Sequence, residues 1–178
     1  MIKYLPRLSA IFLIALFTLY GSLKSFYNNK ITIESFTYEV KPNSSVLDLY
    51  NGIYDSNNFF EKSLFLIGIY LFDLRTIQAG EYLIDDSLYK VLTKMKLGET
   101  ITYKFVISDG MNMFDLSSYI SNTKLNNDCE DFSCIDLINN SIEGLLLPDT
   151  YFYKKNTNLS LLLNKSSSEL KNYVDMIW

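Results

Sequence analysis

The sequence predicts an α+β protein carried on one N-terminal membrane helix, and three observations lead there. An uncharged apolar run opens the chain, stretches of period-two and helical hydrophobic spacing follow it, and turn residues separate those stretches at short intervals. With 178 residues, 48% of them hydrophobic, the chain has enough material for one packed domain or two small ones. We place the boundaries at 1–30 for a cytoplasmic tip, membrane anchor and connector, 31–98 for a small α+β module, and 99–178 for the start of a second α+β domain that reads as incomplete.

The anchor is Leu8 to Leu23, free of charge and flanked by Lys3, Arg7 and Lys24. It is slightly shorter than the span of about 20 residues that a bilayer requires. Tyr4 and Tyr20 suit the two interfaces, and Lys24 can snorkel. A secretory signal peptide is the competing reading, because the start is basic and the run is near the upper length of such a core. Tyr20-Gly21-Ser22-Leu23-Lys24 lacks the small-x-small cleavage pattern, which favours an uncleaved anchor. Lys3 and Arg7 favour a cytoplasmic N-terminus, leaving the remainder outside the cytoplasm.

After a polar connector, Ser25 to Lys30, the stretch Ile31 to Val40 puts Phe36, Tyr38 and Val40 on one side and predicts a strand. Ser45 caps a helix bearing Val46, Leu47, Leu49, Tyr50 and Ile53, which Asn57-Asn58 breaks. Phe59 to Phe72 is helical in pattern; Glu61, Lys62 and modest length argue against a second membrane span. Gln78 to Ile84 reads as turn then strand, and Asp86 caps a helix with Leu88, Val91, Leu92 and Met95 on one face, ended by Gly98. Thr100 to Ser108 is a further strand, entering the turn Asp109-Gly110. A helix follows from about Asn112 with Phe114, Leu116 and Ile120 as its apolar positions, and Glu130 to Asn140 is expected to form another. The last predicted helix runs from Ser160 to Trp178, with Leu163, Leu170, Val174 and Ile177 on one face.

Composition removes several chemistries. The chain has no histidine, so nucleophile systems built on His and imidazole zinc sites are excluded, and acid/base work falls to carboxylates, Lys or Tyr. Two of the 16 basic residues precede Leu8 whereas all 20 acidic ones follow it, which argues against nucleic acid as a partner. Cys129 and Cys134 can close a local loop in an oxidising compartment; two unrelated thiols are the other reading, and a metal site lacks half its ligands. No cofactor is expected.

The densest stretch of special residues is Glu143-Gly144-Leu145-Leu146-Leu147-Pro148-Asp149-Thr150-Tyr151. It sets two acids, a glycine, a proline, a hydroxyl and an aromatic around an apolar run that reads as a short buried strand. Asp149 and Thr150 suit a local turn with side chains bonded to backbone amides. Tyr151 can stack on the flat face of a ligand, although a strand aromatic is more often core. Glu143 is the one carboxylate in a setting that suits work on a ligand, and Gly144 lets backbone approach one. Asp85-Asp86 and Glu130-Asp131 sit at predicted helix starts, where negative charge favours the dipole.

In order and spacing the chain resembles the endolytic murein transglycosylases, the single-pass MltG/YceG-like proteins of the bacterial inner membrane. The resemblance rests on the anchor, on the strand-turn-helix start Val40-Lys41-Pro42-Asn43-Ser44-Ser45, on Ala79-Gly80-Glu81-Tyr82, and most specifically on the EGxxxPDTY stretch, Glu143 to Tyr151. Two departures stand out. Ser108-Asp109-Gly110 replaces the usual Pro-Glu-Gly, and no segment resembling ASIxEKE, which carries the family's catalytic glutamate, occurs in these residues. The apolar ending Asp175-Met176-Ile177-Trp178 adds to the expectation that this is the N-terminal portion of a longer protein.

The resemblance implies a lytic transglycosylase that cleaves the β-1,4 bond between N-acetylmuramic acid and N-acetylglucosamine in nascent glycan strands, leaving 1,6-anhydro ends. It implies a LysM-like character for residues 31–98 and a supporting, cleft-lining or sugar-contacting place for Glu143, Gly144, Pro148, Asp149, Thr150 and Tyr151, with the catalytic residue unassigned. Its partners would be peptidoglycan glycan strands, the membrane through Leu8–Leu23, and cell-wall synthesis proteins. The alternative is an anchored peptidoglycan-binding module without catalysis.

Overall fold

The computed structural model describes residues 5–31, 34–54, 58–135 and 143–177. Expectations placed on Lys3, Tyr4, Asn57, residues 136–140 and Trp178 fall outside these. The chain forms two compact units, Met1–Thr100 and Ile101–Trp178, each with a two-stranded sheet and its own core. It is a mixed α+β protein with one apolar N-terminal helix.

That helix, α1, spans Leu5–Asn28. Among the described residues it is the one helix apolar and long enough to cross a membrane, over Ser9–Asn28. The residues from Ser25 that read as a connector are its last turn, because Leu23 and Tyr27, four apart on one face, both enter the core of the first unit. Tyr27 Oη donates to the carbonyl of Phe65 at 2.6 Å, and its ring meets Phe72 edge-on at 5.0 Å. A bridge between Lys30 and Ser87 then fixes the chain as it leaves the helix.

Strand β1, Phe36–Val40, buries Val40 and half-buries Phe36 and Tyr38, as the alternation requires. Helix α2, Val46–Ile53, starts with a capping box in which Ser45 and Asp48 each bond the other's backbone N–H. Helix α3, Phe59–Leu71, is capped by Asn58, whose side chain accepts from the Phe60 N–H at 3.0 Å. Strand β2, Gly80–Ile84, pairs antiparallel with β1, Tyr82 opposite Tyr38. Helix α4, Leu88–Leu97, buries Leu88, Val91, Leu92 and Met95 and ends on Gly98 at φ 71°. Its N-cap is Ser87 rather than Asp86. Asp86 lies one residue earlier, accepting the Ser87 N–H at 2.7 Å and pairing with Lys90 at 2.9 Å.

In the second unit β3, Thr102–Val106, pairs antiparallel with β4, Thr150–Lys154, Phe105 opposite Tyr151. Helix α5, Met113–Ser121, buries Leu116 and Ile120, but Phe114 is 81% exposed and contributes nothing to the core. The helix expected from Glu130 is, within the described residues, one 3-10 turn, Glu130–Phe132. Asp131 and Phe132 there take positive φ, which a right-handed helix cannot propagate. A disulfide joins Cys129 to Cys134 around that turn. Helix α6, Leu159–Ile177, buries Leu159, Leu162, Leu163 and Ser166. Of the expected face Leu163 is buried and Leu170 half-buried, while Val174 and Ile177 are exposed.

The start of α6 is held by Asp128, whose two carboxylate oxygens accept from the Ser160 N–H at 2.9 Å and the Ser160 hydroxyl at 2.6 Å. These bonds, the hydroxyl first, hold its carboxyl below the ordinary value of 3.8. A lowered folded-state pKa adds stability above the unfolded value and loses it as pH falls through the folded one. Acid titration of the full chain followed by circular dichroism should therefore show a loss of stability below pH 3.8 that Asp128→Asn reduces.

Gly68 faces the Tyr27 ring so closely that an added Cβ would overlap it. Tyr27 is 1% exposed and hydrogen-bonded, so it cannot swing away. Gly68→Ala should destabilise the first unit by about 1–3 kcal/mol, read by denaturant unfolding in detergent micelles, whereas Gly21→Ala, with open space around it, should cost far less.

Candidate functional site

The second unit contains a cleft of ≈ 370 Å³ walled by two turns. One wall is the exit from β3, Ile107, Ser108, Gly110 and Met111, with Asn112, the N-cap of α5, and Leu116 within that helix. The other is Glu143, Gly144, Leu146 and Pro148, with Leu170 of α6 closing one side. Three of the six residues singled out by sequence, Glu143, Gly144 and Pro148, thus line one cleft.

Backbone chemistry explains why the walls stand apart. The Ile107 N–H donates to the Asp149 carbonyl at 3.0 Å, continuing the β3–β4 ladder beyond the Val106–Thr150 pair. Pro148 has no N–H with which to extend pairing, and the Met111 N–H turns back to the Ser108 carbonyl at 3.2 Å, with Gly110 at φ 72°. On the far wall Gly144 takes φ 77°, and the apolar run after it bends instead of pairing. Leu145–Leu147 is therefore not the buried strand its hydrophobicity predicts; only Leu146 is buried, and the strand begins at Thr150.

The run is held from below. The Leu147 carbonyl accepts from Tyr151 Oη at 3.1 Å and from Ser166 Oγ, fully buried in α6, at 3.2 Å. Burial pushes the Tyr151 phenol up, so it keeps the proton it donates. Tyr151 is 4% exposed, in the core position that was one of its two sequence readings, and lines no part of the cleft. Asp149 accepts the Thr150 N–H at 2.6 Å, the expected local turn, while Thr150 is the first residue of β4 with an exposed side chain. The disulfide Cys129–Cys134 is not among the cleft residues.

Glu143 is exposed at the cleft. An exposed carboxylate is an acceptor for hydroxyl and amide protons. Ile107, Met111, Leu146, Pro148 and Leu170 give the cleft an apolar floor suited to the face of a ring or to a methyl group. Among the described residues no group of three or more His, Cys, Asp or Glu side chains is placed to hold a metal. Sequence reasoning passed over Ser108, Asn112 and Leu170 as site residues. The turn Asp109-Gly110 was the available signal for the first two; nothing in the sequence brings Leu170 beside Glu143.

An apolar N-terminal helix followed by two small α+β units, the second with a cleft built on an EGxxxPDTY stretch, defines a distinct class of chain. The chain belongs to the YceG-like family, whose model matches residues 23–176. The match begins at Leu23, the residue at which α1 enters the core. Among solved structures a YceG-like protein of Listeria monocytogenes is similar, at 20% identity and a TM-score of 0.36, over 82% of this chain and 56% of that one. The present chain thus spans little more than half of that protein's length. No curated protein matches it in sequence.

Because the Leu147 carbonyl has two donors, either can be lost while the other remains. Ser166→Ala and Tyr151→Phe should each cost about 1 kcal/mol, and the double variant should exceed their sum by roughly 0.5 kcal/mol or more. A double-mutant cycle in denaturant measures the difference.

Proposed function

We propose that this chain supplies a glycan-binding cleft to a membrane-anchored endolytic transglycosylase, with its N-terminus in the cytoplasm and the residues after α1 outside the bacterial inner membrane. The observation that carries this is the meeting of the family's most specific stretch, at Glu143, Gly144 and Pro148, with the Ser108–Asn112 turn across one open cleft. Its ligand would be the peptidoglycan glycan strand. The apolar floor would take a sugar face or an acetamido methyl, and the Glu143 carboxylate would accept from a hydroxyl or amide N–H.

The reaction needs a carboxyl that first protonates the bridging oxygen as the C1–O bond breaks. The resulting carboxylate then takes the proton of the sugar's own 6-hydroxyl as that oxygen bonds C1, giving the 1,6-anhydro end without water. We assign Glu143, exposed and lining the cleft, to ligand binding. Asp149 and Tyr151 position the wall from behind, and Thr150 begins the strand that carries it.

A second reading, binding through the first unit, draws on a specific observation. The order β1-α2-α3-β2 with the two strands paired antiparallel favours a LysM-like module over 31–98, which would hold peptidoglycan without cleaving it.

Peptidoglycan sacculi pelleted with the micelle-solubilised chain test both readings. The chain should co-sediment and release no anhydro-muropeptides, and Glu143→Gln should weaken binding about tenfold, as expected for one charge-assisted hydrogen bond. Undiminished binding by that variant would favour the first unit. Anhydro products that disappear with Glu143→Gln would overturn the assignment of Glu143 to binding.

A further inference from the structure

Beyond its first turn, which carries Glu61, Lys62 and Ser63, helix α3 is apolar on both faces. Leu64, Phe65, Gly68 and Ile69 face the core, yet Phe59, Phe60, Leu66, Ile67, Tyr70 and Leu71 on the other side are exposed, Tyr70 by 70%. A helix with two apolar faces needs a second apolar partner. The position of α3 on α1 indicates which.

One end of α3 meets α1 at a hollow shared by Gly21, Ser22 and Ser25 with Asn58, Phe60 and Leu64. Just beyond its other end, Phe72 shares a hollow with Tyr20, Lys24 and Tyr27. At about 1.5 Å per residue α3 is about 20 Å long, whereas the α1 segment that meets both ends covers only about 12–15 Å. Helix α3 therefore lies across α1 between the levels of Tyr20 and Asn29, with Phe65 and Gly68 against Tyr27. The lipid-compatible part of α1 ends at the near edge of that crossing, since Ile11 to Tyr20 are exposed and apolar and Leu23 is already in the core.

Bilayer thickness supplies the remaining step. The uncharged run Leu8–Leu23 is about 24 Å long as a helix, against a hydrocarbon core of about 30 Å. The shortfall brings the membrane boundary up to the body of the first unit. Aromatic rings at that depth suit the boundary between headgroups and acyl chains, and Lys24 can reach the phosphates.

We propose that the exposed face of α3 is a membrane-interface surface that seats the first unit on the lipid headgroups beside the α1 anchor. Helix α3 then lies along the bilayer plane with Phe59, Phe60, Ile67 and Tyr70 among the upper acyl chains. The inference rests on α1 spanning the membrane, and its test separates the two.

The chain has one tryptophan, so Trp178→Phe gives a silent background. In that background Phe17→Trp reports on α1 and Tyr70→Trp on α3. Each full-length variant is reconstituted into vesicles of phosphatidylcholine and phosphatidylglycerol, with phosphatidylcholine brominated either near the acyl carbonyl or at mid-chain. The expected result is strong quenching of the Phe17→Trp reporter by bromines in both positions, and a blue-shifted Tyr70→Trp emission that loses most of its intensity to shallow bromines alone. Phe60→Trp should repeat the Tyr70→Trp pattern, guarding against a local effect of one substitution. Quenching at position 17 with water-like emission at 60 and 70 overturns this inference and leaves the anchor standing. No quenching at any position overturns the anchor as well. A blue shift at 60 and 70 without quenching overturns the inference in favour of a second copy of the chain covering the face.

Discussion

The Leu147 carbonyl takes hydrogen bonds from Tyr151 in β4 and Ser166 in α6, and the shape of the second unit's cleft depends on that junction. A carbonyl engaged by two hydroxyls from the core side has no free direction in which to join a sheet. The apolar run before it, which could otherwise extend β4 backwards, is held as a bend, and Gly144 turns it outward. With Pro148 unable to donate, pairing with β3 stops at the bond from Ile107 to the Asp149 carbonyl. The space left where two strands cease to pair is the cleft.

The first unit depends on a comparable lock. Tyr27 reaches from α1 to the Phe65 carbonyl, with Gly68 leaving room for its ring and Phe72 closing over the edge. A buried phenol that keeps its hydrogen bond gives both area and orientation. The apolar helix is thus not joined by a loose tether: its last turns are a core element of the unit, and the isolated bridge from Lys30 to Ser87 continues the attachment. The direction in which α1 enters this unit is fixed by packing.

Much of the fold was legible in the sequence because local signals and packing agreed. Ser45 with Asp48, the face Leu88-Val91-Leu92-Met95, Gly98, and the alternation of Thr102 to Val106 each point to the element that forms. The misreadings have a common cause in competition that a linear pattern does not show. Ser25 and Asn28 look like a linker until Leu23 and Tyr27 are seen to share a buried face. Leu145–Leu147 has the composition of a buried strand, and only bonds from residues 4 and 19 positions further on show why it bends. Phe114 is apolar and correctly spaced, yet it points away from the core that Leu116 and Ile120 enter. Of the site, Glu143, Gly144 and Pro148 were legible, but the opposing Ser108–Asn112 wall and Leu170 come together only through tertiary structure.

The nine residues from Glu143 to Tyr151 divide by direction, and this accounts for their density better than a single role would. Glu143, Gly144 and Pro148 line the open cleft and the buried Leu146 forms part of its floor, whereas Tyr151 and the Leu147 carbonyl face the core. Asp149 and Thr150 carry the transition between the halves, one closing its own turn on the next N–H and the other opening the strand. An exposed carboxylate contacts a ligand reproducibly only if its backbone is held, and the Tyr151–Leu147–Ser166 junction holds the run that follows Glu143. The inward half is therefore the condition for the outward half to act. A stretch this short can serve both because its turn at Gly144 and its break in pairing at Pro148 separate the two directions within five residues of backbone.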